Sequence, residues 1–236
     1  MPRAAATYPR IHVVGDSFTA GLYATSGNTY RELLYDALVA VDAENASVVW
    51  FKGGVSGGLM QDAAASASNL QGFFRPEYAP DFIILALGQN DLTAGRTSGQ
   101  FETDTQTCLD YVQANCKAFV FVVAVPMQPS WRGGVSELLA TAYNNVLRTE
   151  AEARGWAYLD GWARCLTAAG ISGAGDVGAA EATAEDGYHP NNTGHTQLYD
   201  ALWADLLPRM GQALRRVTAS RSVASGRAVA SGRAAA

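Results

Sequence analysis

Two observations predict an α/β fold built on a doubly wound parallel sheet. Five short runs are apolar at nearly every position, and stretches with helical periodicity lie between them. Strands that are apolar without alternation are covered on both faces, and intervening helices supply the cover, so the strands run parallel with right-handed crossovers. A chain of 236 residues with 48% hydrophobic and 17% charged content is long enough for one such domain with a sizeable core.

Taken in order, Arg10-Ile-His-Val-Val14 is a β-branched run that stops at Gly15-Asp-Ser17, and reads as a buried strand. Thr29-Tyr-Arg-Glu32 has the form of a capping box. Behind it, Tyr30, Leu33, Leu34, Ala37, Leu38 and Val41 fall on one helical face, which should pack back on the sheet. Residues 47–51, 81–87, 118–125 and 157–160 read as the remaining strands, and 58–70, 101–116, 135–154 and 192–215 as helices. In such a sheet the ligand site forms beyond the carboxyl ends of the strands, where loops converge.

Two segments stand outside this pattern. Residues 161–185, rich in Ala, Gly and Thr, make a longer connection than usual, and read either as a loop lining the site or as a surface excursion. At the end of the chain Val-Ala-Ser-Gly-Arg-Ala occurs twice in tandem, at 223–228 and 229–234, with no helical face and little to bury. The organisation expected is a domain over 8–215 and a disordered, low-complexity tail over 216–236.

Composition narrows the function. Residues 1–208 carry 11 Lys/Arg against 22 Asp/Glu, a net −11, whereas 209–236 carry six Arg and no acid. An acidic body argues against a nucleic-acid partner. No apolar run approaches the roughly 20 residues of a spanning helix, so integral membrane association is excluded. Met1-Pro-Arg-Ala leads into the first strand without the apolar core of a secretion signal, and a cytoplasmic location is the expectation. Cys108, Cys116 and Cys165 lack both the parity of a disulfide scaffold and C-x-x-C spacing, so buried, reduced thiols are expected.

The residues that carry chemistry cluster at predicted strand ends. Gly15-Asp16-Ser17 would present a hydroxyl at the mouth of the sheet, and a hydroxyl becomes a nucleophile only with a base in reach and a group to orient that base. Asp186-Gly-Tyr-His189-Pro190 offers both in a single turn. Acyl transfer also needs donors for the developing oxyanion, and two loops qualify. Gly53-Gly-Val-Ser-Gly-Gly58 follows the second strand, and Gly88-Gln-Asn-Asp91 follows the third with the Asn90 amide. Each motif alone also reads as a turn or helix cap. His12 lies inside a strand, where packing is the expected role, and His195 sits early in the last helix with no identifiable partner. Asp16 and Asp91 flank the same mouth, but acids after strands are ordinary caps, and neither a metal nor another cofactor is expected.

Together, Gly15-Asp-Ser-Phe18, Gly54-Val-Ser-Gly57, Gly88-Gln-Asn-Asp91 and Asp186-Gly-Tyr-His189 resemble the SGNH (GDSL-type) hydrolase family over about residues 11–205. The resemblance implies a three-layer, flavodoxin-like α/β/α sandwich with five parallel strands. It implies Ser17 as nucleophile, His189 as general base and acid, and Asp186 as the orienting acid. The oxyanion hole would comprise the backbone N–H groups of Ser17 and Gly57 and the Asn90 side chain. Lys52 and Gln89 depart from the residues common in the family, both outside the catalytic set.

The activity this implies is carboxylic ester hydrolysis through a covalent acyl-enzyme. The expected partner is a small-molecule or saccharide ester with a short acyl group such as acetyl. Tyr23, Trp131, Trp162 and Tyr188 lie in segments able to reach the mouth and stack on a sugar, although core or rim packing is the commoner role for any one of them. The alternatives are a lysophospholipase or thioesterase acting on longer chains, an acyltransferase using the same site, and a binding module without turnover.

Overall fold

The computed structural model describes residues 10–41, 49–126, 135–163 and 189–210. Its centre is a five-stranded, wholly parallel sheet of β1 (Arg10–Gly15), β2 (Val49–Lys52), β3 (Phe82–Ala86), β4 (Phe119–Val123) and β5 (Ala157–Leu159). The strand order is β2-β1-β3-β4-β5. Every residue of β3 is buried, as is all of β1 after Arg10. Continuous apolarity therefore reports a two-sided cover, as the sequence predicts.

The cover comes from two helix layers. On one face α3 (Met60–Ala64), α6 (Ser98–Asn115) and α7 (Val135–Ala153) pack together. Phe101 stacks on Tyr143 with centroids 3.9 Å apart, and the Cys108 thiol lies 3.8 Å from the Met60 carbonyl. On the other face α2 (Tyr30–Val41) meets α8 (residues 192–210) around Trp162, which lies edge-on to Tyr30 at 5.1 Å and donates to the Leu198 carbonyl at 3.0 Å. The capping box at the start of α2 is present: Glu32 accepts from the Thr29 N–H and hydroxyl, and Thr29 Oγ1 accepts from the Glu32 N–H.

Some helices differ from the pattern expected. Residues 58–70 do not form one helix but α3 and then α4 (Ala67–Phe74), because Ser66 is extended and its hydroxyl caps Asn69 N–H. A cap of this kind outweighs an apolar repeat that runs across it. α6 begins three residues before the predicted start because Thr97 and Gln100 form a capping box. Two short helices, α1 (Ser17–Ala20) and α5 (Gln89–Thr93), follow β1 and β3 directly, where loops are expected. Cys108 and Cys116 are free and buried, and burial pushes the Cys116 thiol up to about 11. Cys165, most of the connection over 161–185, and the tail lie outside the described residues. Among the described residues no helix is long and apolar enough to cross a membrane.

From β1 the chain crosses to β2 on one side and then to β3 on the other. A crevice opens beyond the carboxyl ends of strands at such a reversal, and it fixes where a site forms.

Candidate active site

Gly15 ends β1 opposite Ala86 of β3, and Asp16 then turns the chain into α1. Asp16 Oδ1 accepts from the Phe18 N–H at 2.9 Å, the N-cap bond the sequence allows. Ser17 is therefore the first residue of a capped helical turn, and its carbonyl accepts from both Gly21 and Leu22 N–H. Its side chain is tucked in the crevice, the residue being 2% exposed, with Oγ 2.9 Å from His189 Nε2. Residues 172 positions apart thus meet at hydrogen-bond distance.

The turn that carries His189 is braced twice against the segment following α1. Asn191 caps α8 by accepting from the Gly194 N–H at 3.1 Å. Asn192 then clamps Thr25, accepting from its backbone N–H at 3.0 Å and donating to its hydroxyl at 2.9 Å. One turn later His195 Nδ1 accepts from the Tyr30 N–H at 3.3 Å, and the Tyr30 hydroxyl shares a 2.6 Å hydrogen bond with Thr19 of α1. Ser17 and His189 are thereby referenced to one frame. The His189 ring is flanked by Phe18 at 5.8 Å and Tyr23 at 5.5 Å.

His195, for which the sequence names no partner, is fully buried, and desolvation pulls its pKa down to about 4. Its Nδ1 accepts, so its Nε2 carries the hydrogen, and that nitrogen is buried with no hydrogen-bond partner among the described residues. His12 has the packing role expected, buried with Nε2 2.9 Å from the Phe73 carbonyl.

The glycine loop lies against this frame. Val55 N–H donates to the Gly15 carbonyl at 3.0 Å, and a Cβ on Gly54 would stand 2.6 Å from Ala20 N. Gly54 is thus required by the approach of the loop to α1. Gly57 has φ +75°, a conformation that side chains rarely adopt. Asn90 Nδ2 donates to the Gly58 carbonyl at 3.1 Å, tying α5 to the residue next to Gly57. A side-chain amide has two hydrogens, so one remains for another acceptor.

Both flanking acids are caps. Asp91 is fully buried and accepts from Met60 N–H at 2.8 Å and Gln61 N–H at 3.2 Å, closing the start of α3. Desolvation raises its pKa despite those bonds. Burial, reinforced by the charge of Asp91, lifts Asp16 to about 7 against the opposing pull of backbone N–H groups. Among the described residues no group of three or more His, Cys, Asp or Glu is placed to hold a metal ion.

Beside Asp16 a small cavity lies between the ends of β3 and β4, lined by Leu87, Gln89, Val125, Pro126 and Trp162 but by neither Ser17 nor His189. Gln89 is buried there, its amide nitrogen without a hydrogen-bond partner among the described residues. The buried Asn144 of α7 holds the far wall, accepting from Val125 N–H at 2.7 Å and donating to its carbonyl at 3.1 Å.

Of the residues the sequence singles out, Ser17 and His189 touch, and Asn90 is bonded to the neighbour of Gly57. Asp186, Trp131 and Tyr188 lie outside the described residues. Trp162 is not a stacking surface: it is 2% exposed with its indole N–H committed to Leu198. Asn144, Asn192 and Tyr30 are supporting residues that sequence reasoning misses. The turn-rich Asn191-Asn-Thr-Gly194 run signals a cap, but nothing local connects Asn192 to Thr25.

Comparison with solved structures gives several close folds. TesA superposes with a TM-score of 0.65 at 21% identity, covering 84% of this chain and 98% of its own. The psychrotrophic esterase EstA from Pseudoalteromonas sp. gives 0.63 at 18% identity, covering 86% of this chain and 98% of its own. A variant of Axe2, an acetyl xylan esterase from Geobacillus stearothermophilus, gives 0.67 at 18% identity, covering 84% and 94%. At such identities the likeness is one of fold. No curated protein matches the sequence. The family model of the GDSL-like Lipase/Acylhydrolase family matches residues 13–197, a span that runs from β1 through the Ser17 and His189 turns into α8. With that match over well more than half its length, the chain belongs to the GDSL-like lipase/acylhydrolase family, the SGNH hydrolases.

Proposed function

We propose that the protein hydrolyses carboxylic esters of short acyl groups, acetyl esters of carbohydrates among them, through a covalent Ser17 acyl-enzyme. The observation that carries this reading is the 2.9 Å approach of His189 Nε2 to Ser17 Oγ within a crevice at the sheet reversal. A lone serine hydroxyl is a poor nucleophile, and an imidazole in reach of its proton is what activation requires.

In this reading His189 starts neutral, with its proton on Nδ1 oriented by Asp186, three positions earlier in the sequence. Ser17 Oγ attacks the ester carbonyl carbon while its proton passes to His189 Nε2. The carbonyl oxygen becomes an anion facing the Ser17 and Gly57 N–H groups and the remaining Asn90 amide hydrogen. The intermediate collapses as His189 returns the proton to the alcohol oxygen, and the carbon–oxygen bond breaks. Water then repeats the sequence against the acyl-enzyme, releasing the acid and restoring Ser17.

The short acyl group is supported by the fold shared with Axe2, which is named an acetyl xylan esterase.

The test is direct. Ser17→Ala should abolish turnover of 4-nitrophenyl acetate and covalent labelling by an alkyl phosphonate, while acetyl exceeds octanoyl and palmitoyl esters in kcat/KM for the parent. Turnover that survives Ser17→Ala removes the mechanism, and a preference for palmitoyl esters removes the substrate class.

A further inference from the structure

We propose that Tyr23 is the platform for the alcohol portion of the ester, and that this portion presents a flat apolar ring face. The proposal rests on the assignment of Ser17 and His189 above. A general acid delivers its proton to the oxygen of the departing alcohol, so that oxygen comes within hydrogen-bond reach of His189 Nε2. Whatever the oxygen carries then extends over the groups that flank the imidazole.

Two rings flank it, and they differ in access. Phe18 is buried in the core, at 5.8 Å. Tyr23 stands on the open side at 5.5 Å, tilted 40° to the imidazole and 56% exposed. Leu22 and Val55 are also exposed, and Val55 sits on the loop bonded to Gly15, so the rim of the crevice is apolar where the alcohol would leave.

The placement of Tyr23 is imposed rather than incidental. Its φ is +66°, in the left-handed region that a tyrosine enters only when its surroundings dictate it. The bonds that dictate it are those of Gly21 and Leu22 N–H to the Ser17 carbonyl and of Ala24 N–H to the Gly21 carbonyl. Two positions later Thr25 is held by Asn192. An exposed ring fixed on the same turn as the nucleophile is a preorganised contact surface: it gives apolar area to a ligand with little further ordering.

The experiment compares three acetyl esters differing only in the alcohol, namely ethyl acetate, phenyl acetate and an acetylated methyl pyranoside, on the full chain and on Tyr23→Ala and Tyr23→Phe. Tyr23→Ala should lower kcat/KM for a ring-bearing ester relative to ethyl acetate by about three- to tenfold, mainly through KM, the scale of one aromatic contact. Tyr23→Phe should keep the parent's preference. The ring ester with the larger loss identifies the ring type, aryl or sugar. An equal fall for all three esters would overturn the proposal in favour of a role in orienting His189, and an unmoved preference would overturn it outright. Because Ser17→Ala is scored separately, a dead Ser17→Ala enzyme with an unmoved Tyr23→Ala preference sinks the platform and leaves the hydrolase standing.

Discussion

Asn90 does two things at once. One amide hydrogen is spent on the Gly58 carbonyl, which fixes the orientation of the side chain, and the other is left to donate. A donor held before the reaction begins costs no reorganisation in the transition state. Asn90→Ala should therefore lower kcat by roughly a hundredfold or more with KM nearly constant. An unchanged kcat in steady-state assays of a short acetyl ester would take Asn90 out of the oxyanion hole. The sequence singles out Asn90 because it follows a strand within a four-residue motif. It could not show that the Gly58 carbonyl fixes the amide, since that bond joins residues 32 positions apart. Gln89 is the converse case: in sequence it is only a departure from the residue common in the family, and its burial beside Asp16 is visible only in the fold.

At the level of elements, helices that do not carry Ser17 or His189 hold the loops around the crevice. β4 stops at Val123, and the backbone of Val125 beyond it would be buried without partners were it not for Asn144, which satisfies both its N–H and its C=O from α7. Asn144→Ala should leave two buried backbone groups unpaired and cost about 2–4 kcal/mol, read as a lower urea midpoint at unchanged m. In sequence Asn144 is one more polar residue in a long amphipathic helix, and no local pattern separates it from a solvent-facing position. The short helices α1 and α5 are similarly hidden. Four or five residues give no period to read; Asp16 caps α1, and each helix buries side chains, Phe18 and Thr19 in α1 and Asp91 and Leu92 in α5.

Across the molecule, two buried groups set opposite pH responses. Asp16 has an ordinary pKa of 3.8 that burial raises to about 7 in the fold. Between these values the unfolded chain releases its proton while the folded one keeps it, so this group's contribution is full below 3.8 and is lost as pH rises to about 7. His195 runs the other way: 6.5 falls to about 4, so its contribution is full above 6.5 and is lost as pH falls towards 4. Asp16→Asn should gain stability relative to the parent as pH rises from 4 to 7, and His195→Gln should gain as pH falls from 6.5 to 4. Urea midpoints across pH 4–8 check both signs, and parallel curves for parent and variants would refute the assignments. The five strands and the positions of Ser17, Asn90 and His189 are legible in the chain because apolar continuity and strand-end motifs are properties of neighbouring residues. Distance in sequence hides the rest. The Asn192 clamp on Thr25, the exposure of Tyr23 and the burial of Trp162 each depend on which segments the sheet reversal brings together, and the pairing of Ser17 with His189 is legible only through the family resemblance. Hydrogen bonding and solvent access are decided by those packed neighbours, so only the folded chain settles them.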